Sequence, residues 1–250
     1  MALPRVLLLE DDPAVVRFFE MALDDIVMTL QACGSVAAAV EALRESPARL
    51  IITDLMLPGE HGTGLLQRME AEPALRGDAQ VVVCSAGITS PVQAELAGYG
   101  VWRQLHKPVS VDALRACVEE GLALSASRPS AAPPPPAVAP AGGADADPQA
   151  QAIARHFGGN APLFHAYRAT CLAQFEHDVA DGDAALAAHD LPALRRMGHN
   201  LASVLASLGH PLASATARRM ELAAEQGRAN DAESAWPGLR EALSALAATG

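Results

Sequence analysis

The first 125 residues alternate between short runs that are apolar throughout and longer amphipathic stretches. Val6 to Leu9, Leu50 to Ile52, Val81 to Val83 and Val101 to Leu105 read as strands, with Ile26 to Leu30 a weaker fifth. A strand apolar on both faces is one that expects cover on both sides of its sheet. Between these runs, Pro13 to Leu23, Ser35 to Arg44, Gly62 to Ala71, Pro91 to Ala97 and Val111 to Leu122 carry helical periodicity, with Pro13 suited to a first turn. Five strands alternating with five helices predict an α/β doubly wound, five-stranded parallel sheet. After Pro148 only helical periodicity remains, over Pro148 to Phe157, Ala161 to Ala180, Asp183 to His189, Pro192 to Leu208, Pro211 to Glu225 and Asp231 to Ala248. That half predicts a separate all-α bundle.

The two patterns are divided by SASRPSAAPPPPAVAPAGGADADP, residues 125–148. Such a composition builds no core and favours extended polyproline conformations. The expected organisation is therefore a domain over 1–124, a Pro/Ala-rich linker over 125–148 and a helical domain over 149–250. At about 3.1 Å per residue the linker would reach up to about 75 Å, so the domains could meet or stay apart.

Charge narrows the possible partners. The formal net charge is −11, with no basic run and no helix-turn-helix or zinc-finger pattern, so no nucleic-acid partner is expected. The N-terminal MALPRVLLLEDD lacks the long apolar region of a signal peptide, and no apolar stretch approaches bilayer length, so no membrane insertion is expected. Cys33, Cys84, Cys117 and Cys171 are scattered and form no C-x-x-C pair. They read as buried thiols of a cytoplasmic protein.

The strand ends carry the candidate chemistry. The first strand runs into Glu10, Asp11 and Asp12, the third into Asp54, the fourth into Ser85, and the fifth into His106, Lys107 and Pro108. In a parallel sheet these ends share one edge, where such folds bind ligands. Crowded carboxylates call for a cation, and Mg²⁺ takes oxygen ligands while keeping waters that a phosphate can displace. A hydroxyl and an ammonium opposite would hold phosphate oxygens, leaving the central carboxylate as a nucleophile that forms an acyl phosphate.

VLLLEDDP, IITDLMLPGEHG, VVVCSAG and LHKP, in this order over residues 4–124, resemble the four motifs of the two-component response-regulator receiver domain, a flavodoxin-like fold. The resemblance implies Asp54 as phosphoacceptor, Lys107 as its ion partner and Ser85 as the hydroxyl that follows the phosphoryl group. It implies Mg²⁺ held by Asp11, by Glu10 through water, by Asp54 and by the backbone carbonyl of Met56, and a cis peptide bond before Pro108. One position departs: Gln104 stands where the family usually carries Tyr or Phe.

Among eight histidines, His61, His106, His156, His165, His177, His189 and His210 fall near predicted helix ends or loops, where solvated or capping roles are expected. His199 sits in mid-helix. Leu194, Met197, Leu201, Val204, Leu205 and Leu208 form one apolar stripe, and His199 points roughly opposite it, beside Arg195, Arg196, Ser203 and Ala206. An exposed imidazole is expected. HDLPALRRMGHNLASVLASLG followed by ATARRME resembles the histidine phosphotransfer (HPt) domain, a four-helix bundle whose central His carries phosphate between receivers. The resemblance covers about residues 150–248 and places the phosphohistidine at His199. Here Ala202 replaces the usual Lys, and Ser203 the usual Gly.

Together these readings predict a phosphorelay protein that accepts phosphate on Asp54 from a histidine kinase and exchanges it through His199, with kinases or other receivers as partners. No P-loop or kinase ATP site is present, so an ATP-dependent kinase is not expected. The alternative is a phosphorylation-switched binding module whose helical domain sequesters a kinase or receiver without transferring phosphate. A Mg²⁺-dependent phosphatase is disfavoured, because Met56 stands where such enzymes typically carry a second Asp.

Overall fold

The computed structural model describes residues 3–86, 90–126 and 147–249. Its elements run β1 (Arg5–Leu9), α1 (Pro13–Ala22), β2 (Thr29–Cys33), α2 (Val36–Glu45), β3 (Leu50–Thr53), α3 (Thr63–Ala71), α4 (Pro73–Arg76), β4 (Gln80–Ser85), α5 (Ser90–Leu96), β5 (Arg103–His106) and α6 (Val111–Ala126). Five further helices follow: α7 (Pro148–His156), α8 (Ala161–Ala187), α9 (Leu191–Ser207), α10 (Pro211–Glu225) and α11 (Ala229–Ala247). The expected linker lies outside the described residues except at its ends, where α6 continues to Ala126 and α7 opens at Pro148. The chain divides into two compact units, Met1–Asp11 with Ala22–Asp147 and Asp12–Met21 with Pro148–Gly250.

In the first unit all five strands are parallel, in the order β2-β1-β3-β4-β5. The order reverses between β1 and β3, which opens a crevice at their carboxyl ends. β1, β3 and β4 are the fully covered strands: Leu7, Leu9, Ile51, Val81 and Val83 lie in one core cluster with Val36, Val40 and Leu43 of α2 and Leu65, Leu66 and Met69 of α3. The weak second strand forms three residues later than expected. Its register is set by pairing Arg5 with Thr29 through Leu9 with Cys33, and four of its five residues are not fully buried. Ser35 starts α2 by accepting the Ala38 amide.

In the second unit α8 contacts α9, α9 contacts α10, α10 contacts α11, and α11 returns to α8, closing a four-helix ring. Asn160 and Asp190 cap α8 and α9 through the Leu163 and Ala193 amides. The break expected after Ala180 does not occur, and α8 runs through Gly182. A Cβ there would lie 2.1 Å from the Trp236 ring, so the glycine admits the indole, whose Nε1 donates to Asp183. Burial of Trp236 offsets the roughly 1 kcal/mol that a mid-helix glycine costs. Phe157, Phe164 and Tyr167 pack together in this unit, with the Phe157 ring centroid within 6 Å of the other two.

His156, expected at a solvated helix end, is buried instead. Burial, with Arg155 beside it, pulls its pKa down to about 4. It is neutral when folded and takes up a proton on unfolding, so stability falls as pH drops from 6.5 toward about 4. Denaturant titrations across that window should show wild type losing roughly 3 kcal/mol more than His156→Gln. Parallel pH profiles would contradict this.

Candidate functional site

Parallel strands β1, β3, β4 and β5 end at one edge and deliver Glu10, Asp54, Ser85 and Lys107 there. Glu10 follows β1, its backbone N–H donating to the Cys33 carbonyl, and Asp54 follows β3, its backbone N–H donating to the Leu9 carbonyl. Ser85 ends β4 opposite His106 of β5, and the Lys107 amide donates to the Ser85 carbonyl. The peptide bond between Lys107 and Pro108 is cis, as the resemblance implied. All four side chains are buried.

Lys107 links the group. Its Nζ donates to Glu10 Oε2 and to Asp54 Oδ2, each at 2.6 Å. Burial alone would draw this ammonium down, but Asp54 and Glu10 outweigh it and hold its pKa well above the ordinary lysine value. The two carboxylates therefore hold the lysine as an ammonium. The other Asp54 oxygen, Oδ1, accepts the Leu55 and Met56 amides at 2.5 and 3.2 Å. Asp54 is thus oriented on both sides, by backbone on one and by charge on the other. Cys84, next in sequence to Ser85, is buried and has its pKa raised to about 12, which keeps it a thiol.

Asp12, third of the acidic run, caps α1 by accepting the Ala14 amide at 2.8 Å. Among the described residues no group of three His, Cys, Asp or Glu side chains is arranged to enclose a metal ion unaided. The oxygen-rich donor set still suits Mg²⁺, which needs only one or two carboxylates and completes its shell with water, carbonyl or phosphate oxygens. Sequence reading missed Gly62. A Cβ there would fall 1.7 Å from the Asp54 carbonyl oxygen, so the loop after β3 can fold back on Asp54 only with glycine, and the Gly62 amide closes it onto Leu55.

The second candidate centre is His199. The expected exposure is wrong: His199 is 0% exposed, and Ala202 and Ser203 beside it are buried as well. The single-stripe reading of α9 assumed one packed face, whereas α9 contacts α7, α8, α10 and α11. Gly198 permits the approach of α10, since a Cβ would stand 2.7 Å from the Ala217 carbonyl oxygen. That approach brings Glu221 to His199, with Oε1 2.8 Å from Nδ1, while Oε2 accepts from Arg218 at 2.6 Å.

Glu221 is buried, which by itself would raise its pKa, but the hydrogen bond from His199 and the Arg218 charge prevail and lower it. An ionised carboxylate only accepts, so Nδ1 of His199 is the donor to Glu221 and Nε2 is the ring nitrogen turned away from it. The role of Glu221 escaped sequence reading. Its signal was a lone charge on the stripe Ala217, Met220, Glu221 and Ala224, all buried. Arg195 is engaged elsewhere, with Glu225 at 2.9 Å.

Residues 6–119 match the response regulator receiver domain, and residues 166–249 match the Hpt domain. The DNA-binding transcriptional regulator NtrC of Azospirillum brasilense is 28% identical over 155 residues, which are 62% of this chain and 30% of NtrC. The virulence sensor protein BvgS of Bordetella pertussis is 31% identical over 126 residues, 49% of this chain and 10% of BvgS. The chain therefore spans less than a third of either relative. A solved receiver domain of a putative LuxO repressor protein from Vibrio parahaemolyticus aligns with a TM-score of 0.47 at 24% identity, covering 50% of this chain and 93% of that one. No helix among the described residues is long and apolar enough to cross a membrane.

Because Gly62 has no room for a side chain, Gly62→Ala should displace the loop after Asp54 and lower stability by about 1–3 kcal/mol in denaturant titration. Wild-type stability in that variant would show that the loop is not constrained by this contact.

Proposed function

Since the chain joins a response regulator receiver domain to an Hpt domain and so belongs to the two-component phosphorelay proteins, we propose that it accepts a phosphoryl group on Asp54 from a histidine kinase and exchanges it through His199. The observation that carries this reading is the buried Lys107 ammonium, hydrogen-bonded at once to Asp54 and Glu10. A cation fixed beside Asp54 supports this reading, because in transfer it would meet the negative charge that develops on the phosphoryl group. Asp54 Oδ2 lies on that side, while two backbone amides hold Oδ1. In the forward step Asp54 attacks phosphorus in line, the partner's P–N bond breaks, and the imidazole leaves. Lys107 follows the charge onto the phosphoryl oxygens, and Ser85, buried at the end of β4, supplies a hydroxyl to them.

Receiver domains generally bind Mg²⁺ at the phosphorylation site. Glu10, Asp11, Asp54 and the Met56 carbonyl are the groups that would hold it here, and it would supply further neutralisation of phosphoryl charge. In the second exchange His199 Nε2 attacks the aspartyl phosphate, the P–O bond breaks, and the carboxylate is restored. Positive charge then arising on the ring is shared with Glu221 through Nδ1. Its partners in this reading are histidine kinases and other receivers.

Burial of His199 and the presence of Ala202 favour a second reading, in which the helical domain binds a kinase or receiver without transferring phosphate. A transfer assay separates the two. With a cognate kinase, wild type should carry label on both Asp54 and His199, Asp54→Ala should take none from the kinase, and His199→Ala should keep only the acid-stable label pattern of Asp54. Label confined to Asp54 in every condition would reject relay through His199.

A further inference from the structure

Ser203 lies one turn after His199 on α9, where residues four apart share a helix face. Side chains on a helix lean toward its N-terminus, so a residue at 203 covers the side of the turn that carries His199. Ser203 is 6% exposed, and its Oγ has no hydrogen-bond partner among the described residues. A buried hydroxyl normally finds a partner, commonly a carbonyl of the preceding turn, and its absence calls for an explanation. By contrast, Ser207 on the same helix follows the usual habit and donates to the Ser203 carbonyl at 3.0 Å.

The surroundings point to what Ser203 would meet. Glu221 occupies the Nδ1 edge of His199, so a phosphoryl group on this ring belongs to Nε2. Ala202 offers no charge or hydrogen bond to such a group, and Arg195 is held by Glu225. At 203 the side chain is small, polar and buried. We propose that Ser203 is a phosphoryl-binding residue: its hydroxyl donates to a phosphoryl oxygen when His199 is phosphorylated, and through this bond slows loss of the phosphoryl group. The inference rests on the reading of His199 as a phosphoacceptor, though not on which partner supplies the phosphate.

The chemistry is balanced without a further reactant. Nε2 gains a bond to phosphorus as the donor's leaving group departs, and Ser203 contributes only a hydrogen bond to an oxygen already negative. A hydrogen bond to a charged acceptor is about twice as strong as a neutral one, so the hydroxyl discriminates in favour of the phosphorylated state. In the unphosphorylated state the same hydroxyl is a cost.

The test uses the full chain in an Asp54→Ala background, phosphorylated with phosphoramidate, a small donor that reaches histidine without a kinase or receiver. The lifetime of phosphohistidine and its ³¹P resonance are followed in Ser203, Ser203→Ala and Ser203→Thr proteins. Ser203→Ala should shorten the lifetime about tenfold and move the resonance. Thr, which keeps the hydroxyl, should restore most of both. Thermal unfolding of the unphosphorylated Ser203→Ala protein should stay at or above wild type, because an unpaired buried hydroxyl has been removed; a merely structural serine would lower it. Equal lifetimes in all three proteins, or failure of phosphoramidate to label His199 at all, would overturn the proposal. Normal dependence on Ser203 with no transfer from any phosphorylated receiver would instead reject the relay and leave the inference standing.

Discussion

Removing an ammonium and two carboxylates from water costs several kcal/mol per ion, and only close mutual attraction with well-placed hydrogen bonds offsets it. Lys107, Glu10 and Asp54 meet that condition at 2.6 Å, but only because their strands arrive together. Glu10 and Asp54 come from β1 and β3, which are neighbours; Lys107 comes from the far edge strand β5 and must reach across the end of β4. The parallel order and the crossover helices that enforce it are therefore prerequisites for the charge cluster. Gly62 adds a second constraint, since the loop leaving Asp54 has space for backbone alone.

The helical unit handles its buried charge in a related way. Glu221 on α10 is sheltered from water, with one oxygen toward His199 and the other toward Arg218. Gly198 makes this possible, because a Cβ there would stand only 2.7 Å from the Ala217 carbonyl oxygen of α10. In both places one side chain is held by hydrogen bonds with groups around it. Asp54 has its backbone amides and Lys107, and His199 has Glu221.

The fit between chain pattern and fold was uneven for physical reasons. β1, β3 and β4 were legible because a strand covered on both faces must be apolar throughout. β2 was misplaced by three residues because an edge strand half in solvent carries a weaker pattern, and its register is decided by pairing with β1. The split of α8 failed at Gly182, where a local helix breaker is overridden by contact with Trp236, 54 positions later in the chain. His199 was placed correctly on its helix and wrongly in solvent, because one helical stripe records the best-packed face and says nothing of neighbours on the others.

By itself the sequence determined the alternation of strands and helices, the division near residues 125–148 and the identity of the strand-end residues, since each follows from local periodicity and composition. Tertiary structure alone decided that Lys107 holds Glu10 and Asp54 together, that Glu221 takes the Nδ1 edge of His199, and that Ser203 is buried without a partner among the described residues. Those outcomes depend on distances between groups far apart in the chain. Such distances are set by how closely backbones pack, and Gly62, Gly182 and Gly198 reveal that packing only once the neighbours they admit are in place.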